Sequence, residues 1–254
     1  APKQKEYFRN MYYVDLLAGS GLCKIESKGD VIAGSALIAC TGCYHPFDKY
    51  FLVEKNRKKA EALEARIGTV TPNVKVFDCD CNDCIEEIME EMGTRDHYLA
   101  FVDCEGLDVS WLTMQSLFGK NGDVLFNFQT QNISRLPTKV RNRSVGWKAL
   151  RRRLNWFFGD DRWKECREPD DFLTAYMNKI KEETTRHLTL PLPVKGHGGY
   201  RYDIILATRI TRGGSPWIKP MEELQEKMGG YKPEIVDKTL DIIMKRQTSL
   251  NEVF

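Results

Sequence analysis

Asp15, Glu54, Asp80, Asn82 and Asp103 each stand at or just past the end of a short apolar run, and Gly19 and Gly21 follow the first of them. Carboxylates and carboxamides placed this way accept hydrogen bonds from hydroxyls and amines. The two glycines let the backbone turn sharply and approach a ligand with no Cβ in between. Backbone N–H groups around Ala18, Gly19, Ser20 and Gly21 would then meet a ligand carboxylate or phosphate. Glu54 suits the paired hydroxyls of a ribose, and Asp80 with Asn82 suits the exocyclic amine of adenine. Each of these residues alone also reads as a cap on the helix that follows it. Together they favour a nucleoside ligand.

The spacing narrows the nucleoside. A dinucleotide site uses Gly-x-Gly-x-x-Gly opening straight into a helix, with an acid about 20 residues further on. Here residue 24 is Lys24, and Glu54 lies well beyond that distance. The excess reads as a polar loop over residues 23–33, ahead of a helix starting near Gly34, with Ser35 as its N-cap. An adenosine carrying an amino-acid tail suits this loop better than a pyrophosphate.

These residues need elements to hold them. Residues 11–17, 50–54, 74–78, 98–103 and 123–128 read as buried strands, rich in β-branched and aromatic side chains. Helical patterns over 35–43, 57–67, 82–92 and 109–118 lie between them. Such alternation implies a parallel sheet with helices on both faces and ligands at the carboxyl ends of its strands. Strand patterns at 188–194 and 200–208, separated by Gly196-His-Gly-Gly199, predict a closing antiparallel hairpin. Helices are expected at about 216–247, and the whole of 1–254 reads as a single domain.

Residues 129–187 break the alternation and read as a helical insertion or cap after the fifth strand. Arg141, Arg143, Lys148, Arg151, Arg152 and Arg153 crowd here with Trp147, Trp156, Phe157 and Phe158. Cations meet phosphates and aromatic faces stack on unpaired bases, so these basic residues and Trp156 are the candidate nucleic-acid contacts. The bland alternative is an amphipathic cap that buries Leu150, Leu154, Phe157 and Phe158 and turns its arginines to water. Net charge is only +2, so any attraction to nucleic acid has to be local.

A hydrophobic content of 42% excludes a disordered chain. No apolar run reaches the roughly 20 residues of a membrane span, and no leader pattern opens the sequence, so a cytoplasmic protein with no membrane partner is expected. Eight cysteines are present. Cys40-x-x-Cys43 and Cys79-x-Cys81-x-x-Cys84 have spacings that a metal would accept, but small buried thiols are the preferred reading, with neither metal nor disulfides. His45, His97, His187 and His197 are scattered and read as surface residues.

At the segments Tyr13-Val-Asp-Leu-Leu-Ala-Gly-Ser-Gly21, Gly34-Ser-Ala-Leu-Ile-Ala39, Phe51-Leu-Val-Glu54, Asp80-Cys-Asn82, Phe101-Val-Asp-Cys-Glu-Gly-Leu107 and Tyr202-Asp-Ile-Ile-Leu-Ala-Thr-Arg209 the chain resembles the class I S-adenosylmethionine-dependent methyltransferases, and within them the three-Cys-motif partner family. The resemblance spans residues 13 to about 210. It implies a Rossmann-like sheet of seven strands, mostly parallel, with a terminal antiparallel hairpin and helices on both faces. It also implies S-adenosylmethionine as cofactor. By that analogy Asp15 and the Gly19–Gly21 loop hold the methionine part, Glu54 the ribose, and Asp80, Cys81 and Asn82 the adenine. Cys104 and Ala36 stand where the family favours proline. Asp103 and Glu105 are the candidates for a general base, although Asp103-Cys-Glu-Gly-Leu107 lacks the two prolines and aromatic of enzymes that methylate exocyclic base nitrogens. Two functions follow: a methyltransferase acting on RNA or DNA, or a cofactor-binding but catalytically degenerate protein that serves a protein partner. A metal-dependent nuclease would need a tighter carboxylate cluster than Asp78, Asp80 and Asp83 supply.

Overall fold

The computed structural model describes residues 8–25, 29–43, 45–195, 200–210 and 218–229. Its strands are β1 (Met11–Asp15), β2 (Leu22–Ile25), β3 (Asp30–Ala33), β4 (Lys49–Val53), β5 (Val74–Phe77), β6 (His97–Val102), β7 (Gly122–Phe128), β8 (Leu188–Lys195) and β9 (Arg201–Thr208). The helices are α1 (Ser35–Thr41), α2 (Arg57–Ile67), α3 (Cys81–Glu90), α4 (Trp111–Gly119), α5 (Thr130–Arg141), α6 (Trp147–Phe158), α7 (Pro169–Glu183) and α8 (Ile218–Gly229). The predicted turn at 196–199, His197 within it, and the helices expected beyond residue 229 lie outside the described residues.

Seven strands form one sheet in the order β5-β4-β1-β6-β7-β9-β8. The first five in that order run parallel, and β9 and β8 are antiparallel, as the predicted hairpin requires. The order reverses between β1 and β6. Parallel crossovers on either side of that point leave a crevice beyond the carboxyl ends of the central strands.

Strand alternation builds the two apolar layers. Tyr98, Ala100 and Val102 of β6 face α3, α4, α6 and α7, where Phe126 and Phe128 of β7 also pack. Tyr13, Tyr50, Leu52, Leu63 and Ile67 form the layer on the opposite face, under α1 and α2. α6 buries Leu154, Phe157 and Phe158 in the first of these layers, against Tyr176 of α7. The amphipathic face read from the sequence is therefore part of the main core.

Three local expectations are corrected. The polar loop at 23–33 is a small two-stranded ribbon, with β2 antiparallel to β3 and Leu22 opposite Ala33. Gly29, directly before β3, has a φ of +71° that suits glycine. Ser35 is the first residue of α1, and the N-cap is Gly34 with no capping side chain, because the Ser35 hydroxyl is bonded elsewhere. Cys79 and Cys84 are joined in a disulfide that brackets the start of α3, against the expectation of free thiols. Cys81 and Cys104 remain thiols, pushed up to about 12 by burial, and are neutral at ordinary pH.

Candidate functional site

The chemistry starts under the first turn after β1. Asp15 is fully buried and does not reach the crevice. Its Oδ2 accepts the Ser35 hydroxyl at 2.6 Å and the Tyr13 hydroxyl at 3.3 Å, and its Oδ1 accepts the Leu17 amide at 3.2 Å. Burial pushes the carboxyl up to about 6, a rise that the hydrogen bonds from Ser35, Leu17 and Tyr13 oppose. Asp15 therefore ties the loop after β1 to the start of α1. The same loop is fixed from above by Arg66 of α2, whose guanidinium donates to the Ser20 carbonyl at 2.6 Å.

Gly19 and Gly21 both have positive φ, +62° and +79°. L-residues with a Cβ rarely hold this conformation, which explains glycine at both positions. Around Gly19 the space is open, with no atom within 4 Å of where a Cβ would stand. Gly34 is packed against the Gly21 backbone and bonds to its carbonyl at 2.8 Å, so the ribbon closes back on the loop.

The loop forms one wall of a cleft of about 510 Å³. Ala18, Gly19, Ser20, Gly34, Ser35, Glu54, Asp80, Cys81, Asp103 and Glu105, all picked out in the sequence, line it together. They come from the ends of β1, β4, β5 and β6 and the start of α1. Lys55, Lys59 and Asp108 line it too and were not foreseen. The available signal was Lys55 directly after the strand-end acid, with Lys59 one helical turn on. The cleft thus carries carboxylates and two ammonium groups together, with Lys55 close enough for its charge to act on Asp80.

Asp80 and Asn82 divide their tasks. Asp80 is the N-cap of α3 and accepts from the Asn82 amide at 3.0 Å. Although burial opposes it, these hydrogen bonds and the charges of Lys55 and Arg153 hold its carboxyl below the usual range. Asn82, by contrast, is used up as a bracket. Its Nδ2 donates to Asp80 and to the Asp108 carbonyl at 2.9 Å, while its Oδ1 accepts from the Ser110 amide and the Thr113 hydroxyl. It does not line this cleft, so the direct adenine contact expected of Asn82 gives way to a role in holding the 108–110 turn.

A second cleft, of about 450 Å³, adjoins the first at Asp80 and lies between α3, α4 and α6. Arg153 and Trp156 form its outer wall, the guanidinium 4.1 Å from the indole centre and 3.6 Å from Asp108. Arg151, Arg152 and Lys148 are exposed on the outer side of the same helix. Arg141 and Arg143 stand apart at the end of α5, where Arg141 donates to the Cys166 carbonyl at 2.8 Å. Of the seven candidate nucleic-acid contacts, Arg153 and Trp156 line the second cleft, and the other five line neither of these two. Among the described residues no group of three or more His, Cys, Asp or Glu is arranged to hold a metal ion, and no helix is long and apolar enough to cross a membrane.

No family model matches the chain, and no curated protein does. Solved structures do. The DUF519 protein LPL1258 of Legionella pneumophila superposes with a TM-score of 0.53 at 11% identity, over 88% of this chain and 85% of that one. Trm1 of Pyrococcus horikoshii, solved with S-adenosyl-L-methionine, gives 0.43 at 9% identity, over 79% of this chain and 51% of that one. The methyltransferase domain of bacterial CtHen1 gives 0.42 at 12%, over 78% and 89%. The first likeness is one of fold, and the other two carry no argument beyond it. With the strand order and the antiparallel edge pair, the chain has a Rossmann-like α/β fold of seven strands, mostly parallel, with helices on both faces.

Proposed function

We propose that the larger cleft binds S-adenosylmethionine and that the protein transfers its methyl group to nucleic acid. One observation carries the reading: strand-end carboxylates, an open Gly19 loop and two lysines converge on one cleft at the switch point of the sheet. The donor set suits the ligand. Glu54 is placed for two ribose hydroxyls, Asp80 for the adenine edge, and the backbone around Gly19 with Ser35 for the amino-acid tail. Lys55 and Lys59 supply positive charge for a carboxylate. When bound, S-adenosylmethionine supplies a methyl group on a positively charged sulfur. This chain's residues orient and exclude: Asp15 and Arg66 fix the loop, and Asp103 and Glu105 stand at the cleft edge as proton acceptors.

The nucleic-acid part rests on α6, whose exposed Lys148, Arg151 and Arg152 lie on the helix that brings Arg153 and Trp156 to the clefts. The narrower kinship with the three-Cys-motif partner family rests on the sequence segments alone. A cytoplasmic location is part of the same proposal.

The test is calorimetric titration of the protein with S-adenosylmethionine and S-adenosylhomocysteine beside a Glu54→Ala variant. Micromolar binding is expected, weakened about a hundredfold in the variant, the loss from removing a charged partner of two hydroxyls. A well-folded wild type that binds neither compound overturns the reading. Tight binding with no transfer of labelled methyl to RNA or DNA favours the second reading, a degenerate subunit, for which the departure at Cys104 already speaks.

A further inference from the structure

At the edge of the cofactor cleft, the carboxyl ends of β6 and β7 and the start of β9 gather a second set of polar groups, of which Asp103 also lines that cleft. Asp103 follows β6, and Asn127 lies beside it near the end of β7, its Nδ2 donating to Asp103 Oδ1 at 2.5 Å. Asn127 pairs with Ile204 of β9, so Tyr202, two residues before Ile204, shares its face of the sheet. The Tyr202 ring lies 5.9 Å from that of Tyr200, whose hydroxyl donates to Gln129 at 2.5 Å. Burial first, and then the negative charge of Asp103, push the Tyr202 hydroxyl up.

Asn127 is only 8% exposed, and its Oδ1 is buried with no hydrogen-bond partner. Folded proteins rarely leave such an oxygen without a donor, and where they do, a missing ligand is one physical cause. The amide cannot turn to relieve it, because Nδ2 must face the carboxylate. The bonded pair therefore keeps two oxygens as acceptors, Asn127 Oδ1 and the second oxygen of Asp103, with Asn127 on the face it shares with Tyr202.

We propose that this cluster is the site of the methyl-accepting group, and that the group is a primary amine on a flat ring, read by Asn127 and Asp103 and flanked by Tyr200 and Tyr202. The proposal rests on the cofactor reading above and adds the substrate's chemistry. A primary amine presents two hydrogens from one atom, matching the two acceptors of the bonded pair. A hydroxyl or a ring N–H presents one, and a thiolate none. A lysine ammonium has the hydrogens but is protonated at neutral pH, with no lone pair to donate. The amino group of a nucleobase is neutral and lies in the plane of a ring that stacks on tyrosine.

The experiment uses the full chain saturated with S-adenosylhomocysteine, so that the cofactor cleft is filled. Adenosine, cytidine and their analogues lacking the amine, purine riboside and pyrimidin-2-one riboside, are titrated in and followed by saturation-transfer NMR. At least one amino nucleoside is expected to bind about tenfold tighter than its analogue, the effect of one well-placed buried hydrogen bond. In Asn127→Leu and Asn127→Ser that preference falls to about unity while S-adenosylhomocysteine affinity stays within about twofold, a split that a merely structural asparagine would not give. The wild-type comparison needs no variant. Equal binding of both members of each pair, or of neither, overturns the amine site, and a preference unchanged in both variants removes Asn127 from it. A protein that does not bind S-adenosylhomocysteine at all is a different failure: it overturns the cofactor reading, and this proposal falls with it.

Discussion

The cleft beyond β1 and the helical insertion α5–α7 hold their polar residues in opposite ways. In the cleft, geometry is set by backbone and by saturated inward bonds: Asp15 accepts three donors, and Asn82 is satisfied on both atoms. In the insertion, geometry is set largely by apolar packing; Lys179 of α7 is a buried exception, bonded to Asp160 and Glu183, and the arginines of α6 remain outside. Phe157 is fully buried with ring centres of Phe158 and Tyr176 at 5.2 and 5.1 Å, while Arg151 and Arg152, on the same helix, are exposed. The cleft is therefore sensitive to changes in polar residues that never touch a ligand. The outer face of α6 tolerates polar change, whereas its inner face is intolerant of apolar change.

The sharpest break of this contrast is Phe157→Ala. The site is closed on every side, so truncation leaves a cavity and is expected to cost about 3–5 kcal/mol in urea unfolding. Binding of S-adenosylhomocysteine by the folded fraction should be unaffected. A loss below about 1 kcal/mol, with α6 melting separately, would mean that the insertion is a lid and not a wall of the core.

Asp15→Asn probes the other side. The folded carboxyl lies at about 6, above its ordinary 3.8, so the folded state holds a proton that the unfolded state releases over that interval. Its contribution to stability is therefore greatest below pH 3.8 and falls as pH rises towards 6, by about 3 kcal/mol in total. Asparagine does not ionise, and the Ser35 and Tyr13 hydroxyls can turn to accept its N–H groups. The variant should match the wild type near pH 4 and exceed it increasingly up to pH 6, with a constant gap above, measured by denaturation across pH. Parallel profiles for the two proteins would show that the loop carboxylate is solvated.

How much of this was legible in the sequence follows the same division. Glu54, Asp80 and Asp103 were readable because each ends an apolar run, and a parallel sheet brings the ends of such runs to one edge. The roles of Asp15 and Asn82 were not readable, since an acid that caps a turn and one that meets a ligand have the same neighbours in sequence. The 23–33 ribbon was missed because its strands are only four residues each, with little of the buried face that gives strands their period. Asn127 gave no signal either: it sits inside a strand of apolar residues, and only the register against Asp103 reveals it. In the insertion, the buried face was legible from Leu154, Phe157 and Phe158. Arg153 was grouped with its neighbours, although one helical step turns it from open water to Asp108 and Trp156.

That step makes the last and smallest effect the most discriminating. If the outward arginines meet phosphates, Arg151→Ala with Arg152→Ala should weaken binding of a single-stranded oligonucleotide about tenfold at moderate salt and lower the salt slope by about 1.4, two contacts' worth. Arg153→Ala should act differently, because its guanidinium is engaged with Asp108 beside Asp80. Its removal should change cofactor affinity more than it changes the salt slope. Fluorescence anisotropy across a salt series, paired with calorimetry for S-adenosylhomocysteine, separates the two. If all three substitutions change the slope alike, α6 is one undivided basic face and Arg153 no part of the cleft. If none does, the arginines are the wet side of an amphipathic cap, and the nucleic-acid reading loses its support while the cofactor cleft keeps its own.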